Sequence, residues 1–273
     1  MRFAPLVAAA LVVASGSAAA ADFSDTWIGY RRSNQYSEPG ISADVPKNIF
    51  TLGHFSGYKY GTNFFTVDLL RSLENDPANG GGSQAQELYA VYRGTLSSSK
   101  VLGSKYGDVL KDVSLTFGFD AGSKDTAFAP KPLKLVIGPT LNLALPNGFL
   151  DLSLLAYDES NNNGITKTKV NFDTTWQLGA VWGSFFTLGA PAKFTGFVAV
   201  TGPKGKDGFG AETATETLLR ASLQWDVGSL AGLNKGTVFA GVGYEYWKNK
   251  FGNPSSVPGS KTSAPVFVAE WHF

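Results

Sequence analysis

Between Thr213 and Trp225 the chain alternates: Thr213, Thr215, Thr217, Leu219, Ala221, Leu223 and Trp225 fall on one side of an extended strand, and Ala214, Glu216, Leu218, Arg220, Ser222 and Gln224, mostly polar, on the other. A period of two is the mark of a strand with one apolar and one polar face. The same pattern returns along the chain. Lys111 to Phe119 puts Val113, Leu115, Phe117 and Phe119 on one side, against Asp112, Ser114 and Thr116. Thr237 to Trp247 sets Val238, Ala240, Val242, Tyr244 and Tyr246 against Thr237, Gly241, Gly243 and Glu245. From Lys167 to Trp182, Lys167, Lys169, Asn171, Asp173, Thr175 and Gln177 oppose Val170, Phe172, Trp176, Leu178, Ala180 and Trp182. Aromatic rings close the ends of these apolar faces, where a membrane interface favours them.

Past the amino terminus no apolar run is long enough for a membrane helix, whereas a spanning strand needs only about 9 to 11 tilted residues. Twelve strands are predicted, at 23–34, 47–56, 59–71, 84–96, 110–120, 132–144, 148–158, 167–183, 193–202, 211–226, 236–249 and 264–273. The segments 47–56 and 193–202 alternate poorly. Connections 38–46, 74–83, 122–131, 158–166, 203–210 and 249–263 are long and rich in Gly, Pro, Asn and Asp, while 56–58 and 145–147 are short. That rhythm predicts an all-β, transmembrane, antiparallel up-and-down barrel with short periplasmic turns and longer outer loops. Connection 97–109 breaks it by being long on the periplasmic side, as either a helix or an irregular turn.

Met1-Arg2-Phe3, the apolar stretch from Leu6 to Val13, and Ala18-Ala19-Ala20-Ala21 read as a signal peptide over 1–21, cleaved before Asp22. The barrel then occupies 22–273 as one domain in the Gram-negative outer membrane. Cysteine is absent, which suits passage through an oxidising compartment. The 32 glycines would be costly in helices but serve where strands bend and where a lumen must stay open. With 23 basic and 22 acidic residues, no overall field recruits nucleic acid. The last strand alternates Phe267, Ala269, Trp271 and Phe273 outward, a terminal pattern suited to the barrel-assembly machinery. Outer-membrane lipid and lipopolysaccharide are the expected surroundings.

Catalysis finds little support. The two histidines, His54 and His272, sit in no hydrolase pattern and are read as lumen or rim residues. No His/Asp/Glu grouping has metal-ligand spacing, and no cofactor is implied. The Gly80-Gly81-Gly82 and Gly202 to Lys206 stretches lack the strand and helix of a phosphate cradle and are read as loop tips.

The inward set carries charges of both signs: Asp68, Glu87, Arg93, Asp112, Lys134, Lys169, Asp173, Glu216, Arg220 and Glu245. These suit either a packed, ion-paired interior or a polar channel. Period two from Asp68 places Thr66, Phe64, Thr62 and Tyr60 inward; Tyr89 accompanies Glu87, and Phe239 and Trp247 accompany Glu245. Rings beside hydrogen-bonding groups can stack a base and hold a sugar.

Glu38-Pro39-Gly40, the segment Tyr58 to Leu70 with its Tyr60-Gly61-Thr62-Asn63-Phe64-Phe65 core ending at Val67-Asp68, and Gln86 to Arg93 resemble the Tsx-type nucleoside-specific channel family. Together with the strand Trp27 to Arg32, the match covers roughly the first third of the mature chain. The resemblance implies a twelve-stranded monomeric barrel passing nucleosides without energy coupling. It carries over at Tyr60, Gly61, Asn63, Phe64, Phe65, Asp68, Glu87, Tyr89 and Arg93. The expectation is a passive channel for small polar solutes, with nucleosides as its best candidates. A closed structural or adhesion barrel is the alternative.

Overall fold

A computed structural model describes residues 21–273; the predicted signal peptide therefore lies outside the described residues except for Ala21. Thirteen strands follow in chain order: β1 (Phe23–Tyr36), β2 (Val45–Tyr58), β3 (Gly61–Ser72), β4 (Gln86–Ser97), β5 (Leu110–Lys124), β6 (Leu133–Leu145), β7 (Gly148–Asn163), β8 (Thr168–Asn171), β9 (Thr175–Leu188), β10 (Ala190–Thr201), β11 (Glu216–Asp226), β12 (Val238–Lys248) and β13 (Thr262–His272). Each pairs antiparallel with its sequence neighbour, and β13 returns to β1 from Trp27↔His272 to Arg32↔Phe267. The ring is thereby closed and has no free edge.

The count is twelve staves, because β8 and β9 form one interrupted strand. β7 pairs Ser160 with Asn171 in β8 but Tyr157 with Thr175 in β9, so three steps along β7 are matched by four opposite. This bulge reverses the facing of everything before it. Thr175 and Gln177 point inward as expected, but Lys169, opposite Asn162, falls on the face away from the lumen. Asp173 sits exposed in the bulge, its carboxylate beside Gly205 of the following loop. Both predicted lumen charges are corrected for one physical reason: an extra residue shifts the period of two.

Apart from Tyr60, the predicted facing of the lumen charges and aromatics holds elsewhere. Outward residues such as Leu135, Ile137, Val242 and Trp271 are more than half exposed and form an apolar belt. The two weakly alternating segments are strands, β2 and β10. The long connection after β4 opens with a helix, α1 (Ser98–Leu102), whose N-cap Ser97 accepts from Lys100 N at 3.1 Å. Asp112 organises this connection, accepting from Ser97, from Ser98 Oγ at 3.1 Å and from Ser99 N at 3.1 Å. A second short helix, α2 (Val227–Leu230), stands at the same end, after β11.

Gly61 explains one motif position. A Cβ there would lie 1.8 Å from the carbonyl oxygen of Thr95, so only glycine lets β3 and β4 approach this closely.

Candidate functional site in the lumen

The interior divides into three levels. At the end that carries the short turns and both chain ends of the barrel, β1, β13, β12 and β10 bring together Trp27, His272, Phe239, Glu270 and Lys193, with Phe64 from β3. The Trp27 and His272 rings stack with centroids 5.7 Å apart; Phe64 lies 6.3 Å from Trp27 and Phe239 5.4 Å from His272. Lys193 Nζ stands 4.0 Å from the Phe239 centroid, 2.6 Å from Glu270 Oε2 and 3.2 Å from His272 Nε2. Asp25 faces His272 Nδ1 at 2.9 Å. Glu270 Oε2 also lies 3.3 Å from His272 Nε2, so both ring nitrogens face carboxylates.

Half a circumference away, β3 to β7 line the same level with small polar groups. Thr62 and Thr95 hydroxyls meet at 2.8 Å, Thr116 and Thr140 at 2.6 Å, and Ser114 donates to Asn142 at 2.6 Å. Asn142 in turn donates to Asp151 at 2.8 Å. One wall therefore offers aromatic faces with paired charges, and the opposite wall offers hydroxyls and amides.

The middle level holds arginine–carboxylate pairs. Arg31 pairs with Asp68, which also accepts from Thr51 Oγ1 at 2.6 Å. Arg220 Nε donates to Glu245 at 2.6 Å, and Arg93 Nη1 to Asp120 at 2.6 Å, with Tyr89 donating to the same aspartate at 3.0 Å. The arginine side chains keep 19 to 29% of their exposure, so water reaches this level.

The third level, at the end of the long loops, is filled with buried ion pairs. Glu38, in the loop 37–44 between β1 and β2, receives Lys47 of β2, Lys124 of β5 at 3.4 Å and Lys250 of the β12–β13 loop at 3.1 Å. Asp76 takes Lys124 at 2.7 Å, and Glu87 pairs in register with Lys124. Lys204 meets Glu159, which also accepts from Tyr157 at 2.6 Å. None of the ion-paired side chains exceeds 9% exposure, and Glu87 beside them is half-buried. Beneath them Tyr36, Ile49, Ala264, Val266 and Val268 pack as a small apolar core. Burial by itself would raise the Glu38 pKa; Lys250, then Lys47 and Lys124, outweigh it and hold that carboxyl well below its ordinary range. Lys250 moves down instead, because burial outweighs its attraction to Glu38.

Of the predicted site residues, Phe64, Asp68, Glu87, Tyr89, Arg93, Glu216, Arg220 and Glu245 do face the lumen. Glu216 accepts from Trp247 Nε1 at 2.6 Å. They are not one cluster but lie on different walls and levels. Tyr60 is corrected: β3 begins only at Gly61, and the Tyr60 ring is exposed in the turn, edge-on to Tyr58 and 5.0 Å from Lys59 Nζ. Asn63 and Phe65 point outward, Asn63 accepting from Tyr92 at 2.8 Å and Phe65 stacking on His54 at 5.5 Å. His54 therefore belongs to the outer face. Its Nδ1 lies 2.8 Å from Thr26 Oγ1, but among the described residues no carboxylate or amide orients the ring as a base would need. Trp27, Arg31 and Lys193 escape the sequence reading, because β1 and β10 carry large or charged residues on both faces.

No family model and no curated protein matches the chain. Among solved structures it is similar to the translocator domain of the autotransporter NalP from Neisseria meningitidis, with TM-score 0.48 and 10% identity over 97% of this chain and 93% of that one. The KdgM porin in complex with disordered oligogalacturonate gives TM-score 0.45 and 11% identity, covering 90% and 99%. The NanC porin gives 0.44 and 8%, covering 91% and 99%. Barrel closure itself stands on the register of this chain's own strands.

Proposed function

We propose that this protein is a passive channel of the Gram-negative outer membrane for small polar solutes, with nucleosides as the class its lumen suits. One observation carries the reading. The lower lumen sets Trp27, Phe64, Phe239 and His272 against a wall of Thr, Ser and Asn side chains, so a flat base can stack on one side while sugar hydroxyls bond on the other. Base–aromatic contacts are worth about 1 to 3 kcal/mol each, enough for residence and weak enough for release. The resemblance to Tsx-type channels points the same way through Phe64, Asp68, Glu87, Tyr89 and Arg93. In this reading the apolar belt meets lipid and lipopolysaccharide, and the strand ending in Phe273 is what the barrel-assembly machinery engages.

Single-channel conductance of the refolded protein in planar bilayers, titrated with adenosine and thymidine against neutral sugars, tests it. Saturable block by nucleosides where sugars do nothing is the expected result; conductance without such block leaves a pore of other selectivity. The ion-paired third level favours a second reading, a closed structural or adhesion barrel, and a protein that never conducts would establish that one.

A further inference from the structure

Glu38 does not belong to the barrel wall. Its loop is tied to the β12–β13 loop, 249–261, where Gly40 N donates to Pro258 O at 2.8 Å and Lys250 Nζ to Ser37 O at 2.7 Å, and to the first residue of β13, where Ser37 N donates to Thr262 Oγ1 at 3.2 Å. Gly259 has a positive φ of 71°, and a Cβ there would lie 2.0 Å from the Glu38 carbonyl oxygen, so the two loops interlock as one lid. In the second loop Asn249 and Phe251, on either side of Lys250, hold left-handed φ values of 51° and 60°, conformations that cost energy in residues other than glycine. The lid thus carries its own ion pair, Glu38–Lys250. It is latched to the wall where that same carboxylate also takes Lys47 of β2 and Lys124 of β5, and its second loop is held to the segment before β11 by Asn249 donating to Thr215 O and Ala214 N donating to Gly252 O, both at 2.8 Å.

We infer that Glu38 occupies an oxyanion site whose fixed part is the wall lysines Lys47 and Lys124, and that a solute carboxylate or phosphate group entering there displaces it and lifts the lid. If the lid rises with Glu38–Lys250 intact, Lys47 and Lys124 are left facing Asp76 and Glu87, both of which are held by other elements. Lys124 keeps Asp76 at 2.7 Å, but Lys47 loses the carboxylate it contacts, so an incoming oxyanion is favoured to the extent that it replaces Glu38 at Lys47. The competition is one of differential affinity: the ligand binds the open state and has no place in the closed one. This inference rests on the channel reading for its consequence, passage of the solute, but not for the lid movement itself.

Ser33 pairs in register with Lys47 and is 5% exposed beneath the lid. Because the chain has no cysteine, Ser33→Cys introduces a single thiol. Its rate of labelling by a water-soluble maleimide in the refolded protein reports the lid directly. Inorganic phosphate and glucuronate, each compared with chloride at equal ionic strength to remove simple screening, are expected to accelerate labelling saturably, by about tenfold at ten times the dissociation constant. Glucose and uridine should leave the rate unchanged. Adding Glu38→Gln to Ser33→Cys should give fast labelling that anions no longer alter. Equal rates with and without phosphate or glucuronate would overturn the inference, and this holds in the Ser33→Cys protein alone should the double variant not refold. Conductance recorded on the same preparations separates the two claims. Flat labelling with nucleoside-blocked currents refutes the lid and leaves the channel, whereas accelerated labelling without currents supports the lid and refutes the channel.

Discussion

Arg220 and Glu245 face each other across one rung of β11 and β12, Nε donating to the carboxylate at 2.6 Å, with the Arg220 guanidinium carbon 6.0 Å from the centroid of Phe197. The glutamate side chain is 4% exposed and the arginine 29%, so the carboxylate depends on its partner more than the guanidinium does. Arg220→Ala should therefore destabilise the barrel by about 3 kcal/mol, the lower end for removing one partner of a buried pair, since some water reaches the site. The double replacement Arg220→Met with Glu245→Met should recover most of that loss. Urea unfolding in lipid vesicles measures both, and a double variant no better than Arg220→Ala would contradict this account of the pair.

The belt makes a sharper contrast between neighbours. Leu135 points outward and is 51% exposed, while Val136 points into the lumen and is 4% exposed. Leu135→Arg should cost about 2 to 4 kcal/mol if this position meets the hydrocarbon midplane. The same replacement at the outward Tyr246, near the outer end of β12, should cost roughly 0 to 1 kcal/mol. Equal costs at the two positions would argue against a lipid belt centred on Leu135.

Why these faces were legible from sequence, and the site only partly so, follows from what sets each. A face repeats every second residue, so Val113 to Phe119 or Phe267 to Phe273 declare themselves without any partner. The bulge at 172–174 has no such signature. It adds one residue against β7, and a period of two carried straight through it puts Lys169 and Asp173 on the inward side. The lower cluster depends on closure, since Trp27 and His272 meet only because β13 returns to β1, near opposite ends of the sequence. Glu38 was visible only as part of a Glu-Pro-Gly motif. Its role depends on Lys47, Lys124 and Lys250, which sequence spacing does not bring together. Tyr60 shows the reverse error, a period of two extended one residue past the end of its strand.

The aromatic wall predicts how block should change. Trp27→Ala removes the ring stacked on His272 and the one nearest Phe64, and should raise the nucleoside concentration for half block by about 5- to 150-fold, corresponding to about 1 to 3 kcal/mol. Tyr60→Ala, in the exposed turn, should leave it unchanged. Bilayer titration of both variants decides between this arrangement and one in which nucleosides pass without touching the lower level; the latter would show no change for Trp27→Ala.

The lid should loosen in acid. Glu38 keeps its charge in the folded state well below the ordinary glutamate value of about 4.5, held there against burial by Lys250, Lys47 and Lys124. Its folded pKa is depressed, so its pairing contributes stability that is fully present above that ordinary value. This stability is lost as pH falls from there through the folded pKa. Asp76 and Glu87, which also face the cluster, can compensate the lysines only in part. Glu38→Gln lacks the charge at every pH, so the wild-type protein should exceed it in thermal midpoint by the same margin from pH 7 down to about 5. Below that the margin should shrink as Glu38 takes up its proton and the wild-type lid approaches the variant's. Thermal unfolding followed by circular dichroism across this range gives the margin directly. If it stayed constant into strong acid, the carboxylate would not be what the three lysines hold, and the lid would owe its seat to the loop–loop hydrogen bonds at Gly40 and Ser37 instead.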